Sequence, residues 1–70
     1  MQHDQVARAA NYIDLNEVAR RLGISRRQAE IMLARREIPE PVRLGRLRRW
    51  HSGMVDEWLL AAARRAAGIK

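Results

Sequence analysis

The side chains able to do chemistry in this 70-residue chain are guanidinium groups. Thirteen arginines stand against one lysine, and ten of them fall between Arg20 and Arg49 with only three acids, a local excess of +7. The rest of the chain sums to −1, so the whole net charge of +6 lies in that stretch. A guanidinium stays charged and offers a planar fork of donors that matches phosphate and carboxylate oxygens, so the chemistry it suits is anion recognition. A high-G+C coding bias explains Arg over Lys. It does not explain the clustering, which favours an anionic polymer as partner.

Other chemistries find no residues. Cys is absent, which removes disulfides and cysteine metal sites, and His3 and His51 cannot make a metal site alone. Neither histidine has a Ser, Asp or Glu at a spacing that suggests a nucleophile or a base, so no enzyme activity and no cofactor are expected. Gly23, Gly45, Gly53 and Gly68 are scattered and form no phosphate loop. No apolar run approaches the length of a membrane span, and Met1 to Ala10 is too polar for a signal peptide, so a soluble, cytoplasmic protein is expected.

Seventy residues make one domain, near the size at which a single core is barely adequate. Residues 1–11 read as a flexible arm, 12–65 as the folded domain and 66–70 as a fraying end. Asp14 can cap a helix from Leu15, with Glu17 three residues on and Ile13 placed to staple onto Val18. Gly23 stops that helix. Only Gly23, Ile24 and Ser25 separate it from a second helix with its own capping box, running through about Arg36, a joint that suits a helix-turn-helix. Ala29, Met32, Leu33 and Arg36 form its inward side; Arg26, Arg27, Glu30, Ile31 and Arg35 point out. Pro39 and Pro41 make Ile38 to Pro41 an extended connector. Val42 to Leu44 and Leu47 to Trp50 flank Gly45-Arg46 as a β-hairpin, with Trp50 its anchor to the helices. Ser52 can cap a last helix, whose Val55, Trp58, Leu59 and Ala62 repeat at helical spacing, with Asp56 and Glu57 in its first turn. The fold class is mainly α with a small β-hairpin wing.

Positions carry the argument further than composition. The arginines occupy the start of the second helix and the hairpin, a pattern suited to duplex DNA. A basic amphipathic helix for a membrane or a partner protein is the rival reading, but Ala29, Met32 and Leu33 are needed for the core. An RNA surface lacks a stacking cluster, since Tyr12, Trp50 and Trp58 stand apart from the arginines.

From Tyr12 to about Arg64 the chain resembles the excisionase-type helix-turn-helix family, a winged group related to the MerR-type DNA-binding domain. The residues that carry the likeness are Tyr12-Ile13 with Glu17-Val18-Ala19, then Leu22-Gly23-Ile24-Ser25-Arg26-Arg27, Pro41-Val42-Arg43-Leu44-Gly45-Arg46, and Val55-Asp56-Glu57-Trp58-Leu59. The resemblance implies a winged helix-turn-helix that binds double-stranded DNA. Its members include phage recombination directionality factors, which bind and bend attachment-site DNA for an integrase, and AlpA-like prophage transcriptional regulators. Gln28, Ala29 and Glu30 depart from the Thr, Val and Tyr often found after the two basic residues, and Ile31 stands where a basic or polar residue is frequent. Those departures bear on the target sequence.

The resemblance also distributes roles. The second helix would lie in the major groove, with Arg26 and Arg27 at base edges or phosphate and Arg35 on the same outward face. Arg46 at the hairpin tip would reach a minor groove, and Arg43, Arg48 and Arg49 would meet phosphates. Gln28 is open between cap and DNA contact, and Ile31 between a thymine methyl and the core edge. Glu30 could accept from cytosine N4, although a pair with Arg26 or Arg27 suits a carboxylate near phosphates better. Arg20 and Arg21, at the end of the first helix, are either phosphate contacts or solvated, and Arg36 is expected in half-buried packing. One small module presents too little surface for high specificity, so cooperative self-association on DNA is expected, with an integrase or recombinase as a further partner and no membrane.

Overall fold

The computed structural model of the chain describes residues 11–68. Its elements are β1 (Tyr12–Ile13), α1 (Leu15–Leu22), α2 (Arg26–Ala34), β2 (Val42–Leu44), β3 (Leu47–His51) and α3 (Ser52–Ala66). The proposed flexible arm falls almost wholly on residues outside this range, as do the last two residues of the proposed fraying end.

Local chemistry sets the two helices of the turn. Asp14 accepts from the Glu17 amide at 3.0 Å and starts α1. At the other end Gly23 adopts φ 72°, while its N–H donates to the Arg20 carbonyl and that of Ile24 to Ala19. That pair of bonds is a Schellman motif, which needs a left-handed residue and therefore favours glycine. Ser25 Oγ accepts from the Gln28 amide at 3.0 Å, so α2 begins at the next residue, Arg26. The turn is thus as short as glycine and serine chemistry allows.

The end of α2 corrects the expectation. The helix stops at Ala34 instead of Arg36, through a second Schellman pair: Arg36 N–H to the Leu33 carbonyl and Glu37 N–H to Met32. Here the left-handed residue is Arg36, at φ 62°, the one non-glycine residue with positive φ among those described. The left-handed turn takes Arg36 out of the helix's inner row, so its side chain is exposed rather than half-buried in the core. The same turn delivers Ile38, 3 % exposed, into the core as more than a connector.

The sheet has three antiparallel strands in the order β1-β3-β2. The hairpin is as the sequence predicts, and β1 adds a third strand to it. Tyr12 pairs with His51 and Ile13 with Trp50, and the Ser52 amide donates to the Asn11 carbonyl at 2.8 Å. Ser52 is the first residue of α3 and not, as expected, its cap. His51 is the N-cap of α3, its Nδ1 accepting from the Gly53 and Met54 amides at 3.1 and 3.3 Å, and its ring stands edge-on to Tyr12. Asp56 and Glu57 consequently fall in the second turn of α3, not the first.

Trp50, 2 % exposed, anchors the wing as expected. It packs with Ile13, Leu15, Val18, Leu33 and Val55, and its Nε1 donates to the Pro39 carbonyl at 2.6 Å. Burying an indole removes about 150–250 Å² from water, worth roughly 4–6 kcal/mol before entropic losses. Trp58 packs partly buried against the same cluster, and beyond it α3 is exposed except for Leu59 and Ala62, which are half-buried. Three helices and a small antiparallel sheet make a winged helix-turn-helix.

Candidate nucleic-acid interface

The turn and cap just described place Arg26, Arg27 and Gln28 in the first turn of α2, all exposed. Gly45, at φ 64°, forms the hairpin turn with Arg46, which stands exposed at its tip. Register pairs Arg43 with Arg48 and Val42 with Arg49 across the hairpin. Alternation along β3 then puts Arg48 on the side of Trp50, toward the helices, and Arg49 on the opposite side.

The helix start and the wing meet at a cleft of about 190 Å³ whose lining includes Arg26, Arg46, Arg48 and Arg49. Asp14, Leu15 and Leu47 complete it. A second cleft, of about 310 Å³, is bordered by Glu30, Arg36, Glu40, Arg43 and Arg48. Glu30 and Arg48 join between them: the Arg48 Nη1 and Nη2 groups donate to the two Glu30 carboxylate oxygens at 3.2 and 3.1 Å. The fork holds the Glu30 carboxyl below its usual range, against the opposing pull of partial burial, and raises the Arg48 guanidinium.

The arginines differ in what already occupies them. Arg26 donates to Asn16 Oδ1 of α1 at 3.1 Å and lies 3.5 Å from Glu30. Arg43 is 3.9 Å from Glu40, and Arg49 donates to the Arg48 carbonyl at 2.9 Å. Arg27, Arg35, Arg36, Arg46 and Arg49 have no carboxylate within 4.0 Å among the described residues. Arg35 is the C-cap of α2 and not part of its body, and Ile31 is half-buried on the flank of the helix.

Arg20 and Arg21 belong to a separate cluster. Glu17 accepts from Arg20 Nε at 2.8 Å and from Arg21 Nε at 3.0 Å, and these bonds, that to Arg20 first, hold its carboxyl down to about 2. The same bonds raise both guanidinium groups. Arg21 also reaches Asp56 of α3 at 3.0 Å and the Ser52 carbonyl at 3.4 Å. It is a strut between α1 and α3, only about a fifth exposed, and so not the solvated side chain of one of its two sequence readings.

Two residues were missed. Asn16 orients Arg26, and its only sequence signal is an outward position on α1; Arg36 borders the second cleft because of its left-handed turn. Of the two partners expected for Glu30, Arg26 lies 3.5 Å away and Arg27 does not pair with it, while Arg48 of the wing, not expected from sequence, brings a closer fork.

Among the described residues no group of three His, Cys, Asp or Glu could hold a metal ion, and no helix is long and apolar enough to cross a membrane. No curated protein and no solved structure matches the chain. Residues 12–63 match the family model described as "Helix-turn-helix domain", which spans α1, the turn, α2, the wing and most of α3. The chain therefore belongs to the helix-turn-helix domain family and is a DNA-binding protein of that type.

Proposed function

We propose that the protein is an excisionase, a recombination directionality factor of a phage or mobile element that binds and bends attachment-site DNA to promote excision by an integrase. The observation that carries the reading is the convergence of the α2 start and the wing tip on one arginine-lined cleft. With α2 in the major groove, Arg26 and Arg27 face base edges and phosphate, Gln28 borders them, and Arg35 meets the backbone at the far end of the helix. Arg46 enters the adjacent minor groove, where a guanidinium responds to groove width and potential more than to base identity. Arg49 anchors phosphate and fixes register, while Arg43 flanks it 3.9 Å from Glu40. Engaging two neighbouring grooves from one small domain favours bent DNA, since the bend brings the second groove to the wing.

A single copy buries on the order of 600–1,000 Å², so specific action requires several copies side by side. The order and spacing of the motif residues from Tyr12 to Leu59 support the excisionase-type family, to which the AlpA-like regulators also belong.

The test is nuclease footprinting across a candidate attachment site, read together with an in vitro excision assay containing the integrase. Protection of several adjacent sites and integrase-dependent stimulation of excision are expected. Protection of a promoter with no effect on excision would assign the protein to the AlpA-like regulators instead.

A further inference from the structure

Glu30 is an odd residue for a surface that meets phosphates, since it puts a half-exposed carboxylate on the outer side of α2 one turn past Arg26. Each of its oxygens accepts a hydrogen bond. Arg48 binds both of them with a parallel fork, and Arg26 stands 3.5 Å away while donating to Asn16. Asn16, Arg26, Glu30 and Arg48 thus make one polar chain running from α1 across α2 to β3. A bidentate guanidinium–carboxylate pair fixes orientation as well as distance.

Apolar packing holds the outer wing weakly. Trp50 anchors its base, but Val42, Leu44 and Leu47 are 50 %, 55 % and 52 % exposed, so nothing buried restrains the hairpin beyond Arg49. Two short strands with so little burial need another restraint if their tip is to keep one position. The Glu30–Arg48 fork lies between the Trp50 anchor and the Arg46 tip, where such a restraint has leverage.

We propose that Glu30 is a positioning residue that clamps the wing to α2 through Arg48, setting the distance between the helix-start arginines and Arg46 on which discrimination between DNA duplexes depends. The inference rests on the reading of α2 and the wing as the DNA contacts. It assigns Glu30 no contact with a base. The clamp also withholds Arg48 from phosphate, so breaking it has two opposite effects. Selectivity falls because the wing samples many positions and must be ordered on binding. Affinity for arbitrary duplex rises, because a negative charge leaves the surface and a guanidinium is released to it.

The experiment uses the full chain, a duplex selected by the wild-type protein from a randomised pool, and a scrambled duplex of the same composition. Affinities are measured over a range of salt for the wild type, Glu30→Gln, Arg48→Gln and the double variant. Each single variant is expected to lower the selected-to-scrambled affinity ratio by about tenfold, with no further fall in the double, because both remove the same coupling. On the scrambled duplex Glu30→Gln should steepen the salt slope by about one phosphate contact, and the double should reverse that gain.

Additive losses in the double variant, or an unchanged ratio in Glu30→Gln, would overturn the clamp; additivity is the result expected if Glu30 read cytosine directly. The pair is partly exposed, so melting temperatures should agree within a few degrees, separating loss of selectivity from loss of fold. Should Glu30→Gln fail to fold, Arg48→Lys keeps the charge but not the fork, and the same fall in ratio is expected from it. A wild-type chain that retains no duplex from the pool would remove the DNA reading itself, and the clamp with it.

Discussion

Binding of duplex DNA is expected to weaken with salt by an amount that counts the guanidinium groups free to meet phosphates. Arg27, Arg35, Arg46 and Arg49 lie on α2 or the wing and have no carboxylate within 4.0 Å among the described residues. Each phosphate contact contributes about −0.9 to the slope of log K against log salt, so four contacts give about −3.6. Raising salt fourfold should then weaken binding by roughly two orders of magnitude. If all ten arginines between Arg20 and Arg49 met phosphate, the slope would be about −9 and the same change would cost more than five orders. Fluorescence anisotropy on a labelled duplex across a salt series distinguishes these values. Arg46→Ala should flatten the slope by about 0.9 and weaken binding by about 1–3 kcal/mol, whereas Arg20→Ala, whose charge is held by Glu17, should leave the slope unchanged. A slope near zero would refute phosphate contact altogether. One near −9 would refute the division between committed and free arginines.

Three further outcomes concern the scaffold. Arg36→Gly should stabilise the fold by about 0.5–1 kcal/mol in thermal or urea unfolding, because glycine occupies φ 62° without the strain of a β-carbon; equal or lower stability would contradict that. His51→Ala should cost about 1 kcal/mol through loss of the α3 cap, and His51→Asn, which keeps a side-chain acceptor, should recover most of it; an Ala variant as stable as wild type would remove the cap from the account. Glu17 has a folded-state pKa depressed from 4.5 to about 2, so its contribution is present above 4.5 and lost as pH falls toward 2. Urea midpoints should decline over that window in the wild type and decline less in Glu17→Gln; parallel acid limbs would show the Glu17 bonds to be without effect on stability.

Legibility in the sequence follows the range of the interaction. The Asp14 and Ser25 caps, the Gly23 stop and the Gly45 turn each depend on residues within a few positions, and all four could be read before any fold was known. Trp50 was legible as an anchor because a short hairpin with one large indole has few other ways to attach. Strand β1 was not, since two residues carry no periodicity and Ile13 becomes a strand residue only when Trp50 lies beside it. The His51 cap was hidden because Ser52 is the better cap by type, whereas in the fold Ser52 is already the first helical residue and the His51 Nδ1 takes the Gly53 and Met54 amides. Arg36 stood at an inward helical position, and a helix that ends two residues early reverses the direction of its side chain.

Arginine content alone says little about which cations reach DNA, because availability is decided by the carboxylates that the fold brings to each one. Glu17 takes Arg20 and Arg21 out of the surplus and, with Asp56, turns Arg21 into a strut; Glu30 takes Arg48 and leans on Arg26; Glu40 stands at 3.9 Å from Arg43. Of these pairings, those between Glu17 and its two arginines lie within one helical turn and are local. The pairing that shapes the interface, Glu30 with Arg48, joins α2 to β3 and exists only once Trp50 has docked the wing. A carboxylate at a DNA-facing position repels phosphate if it stands alone. Bound to Arg48 it is neutralised, and the repulsion is exchanged for a fixed wing. The acids in and around the basic stretch therefore divide a large surplus of arginines into those already paired and those, Arg27 and Arg46 among them, that have no carboxylate within 4.0 Å among the described residues.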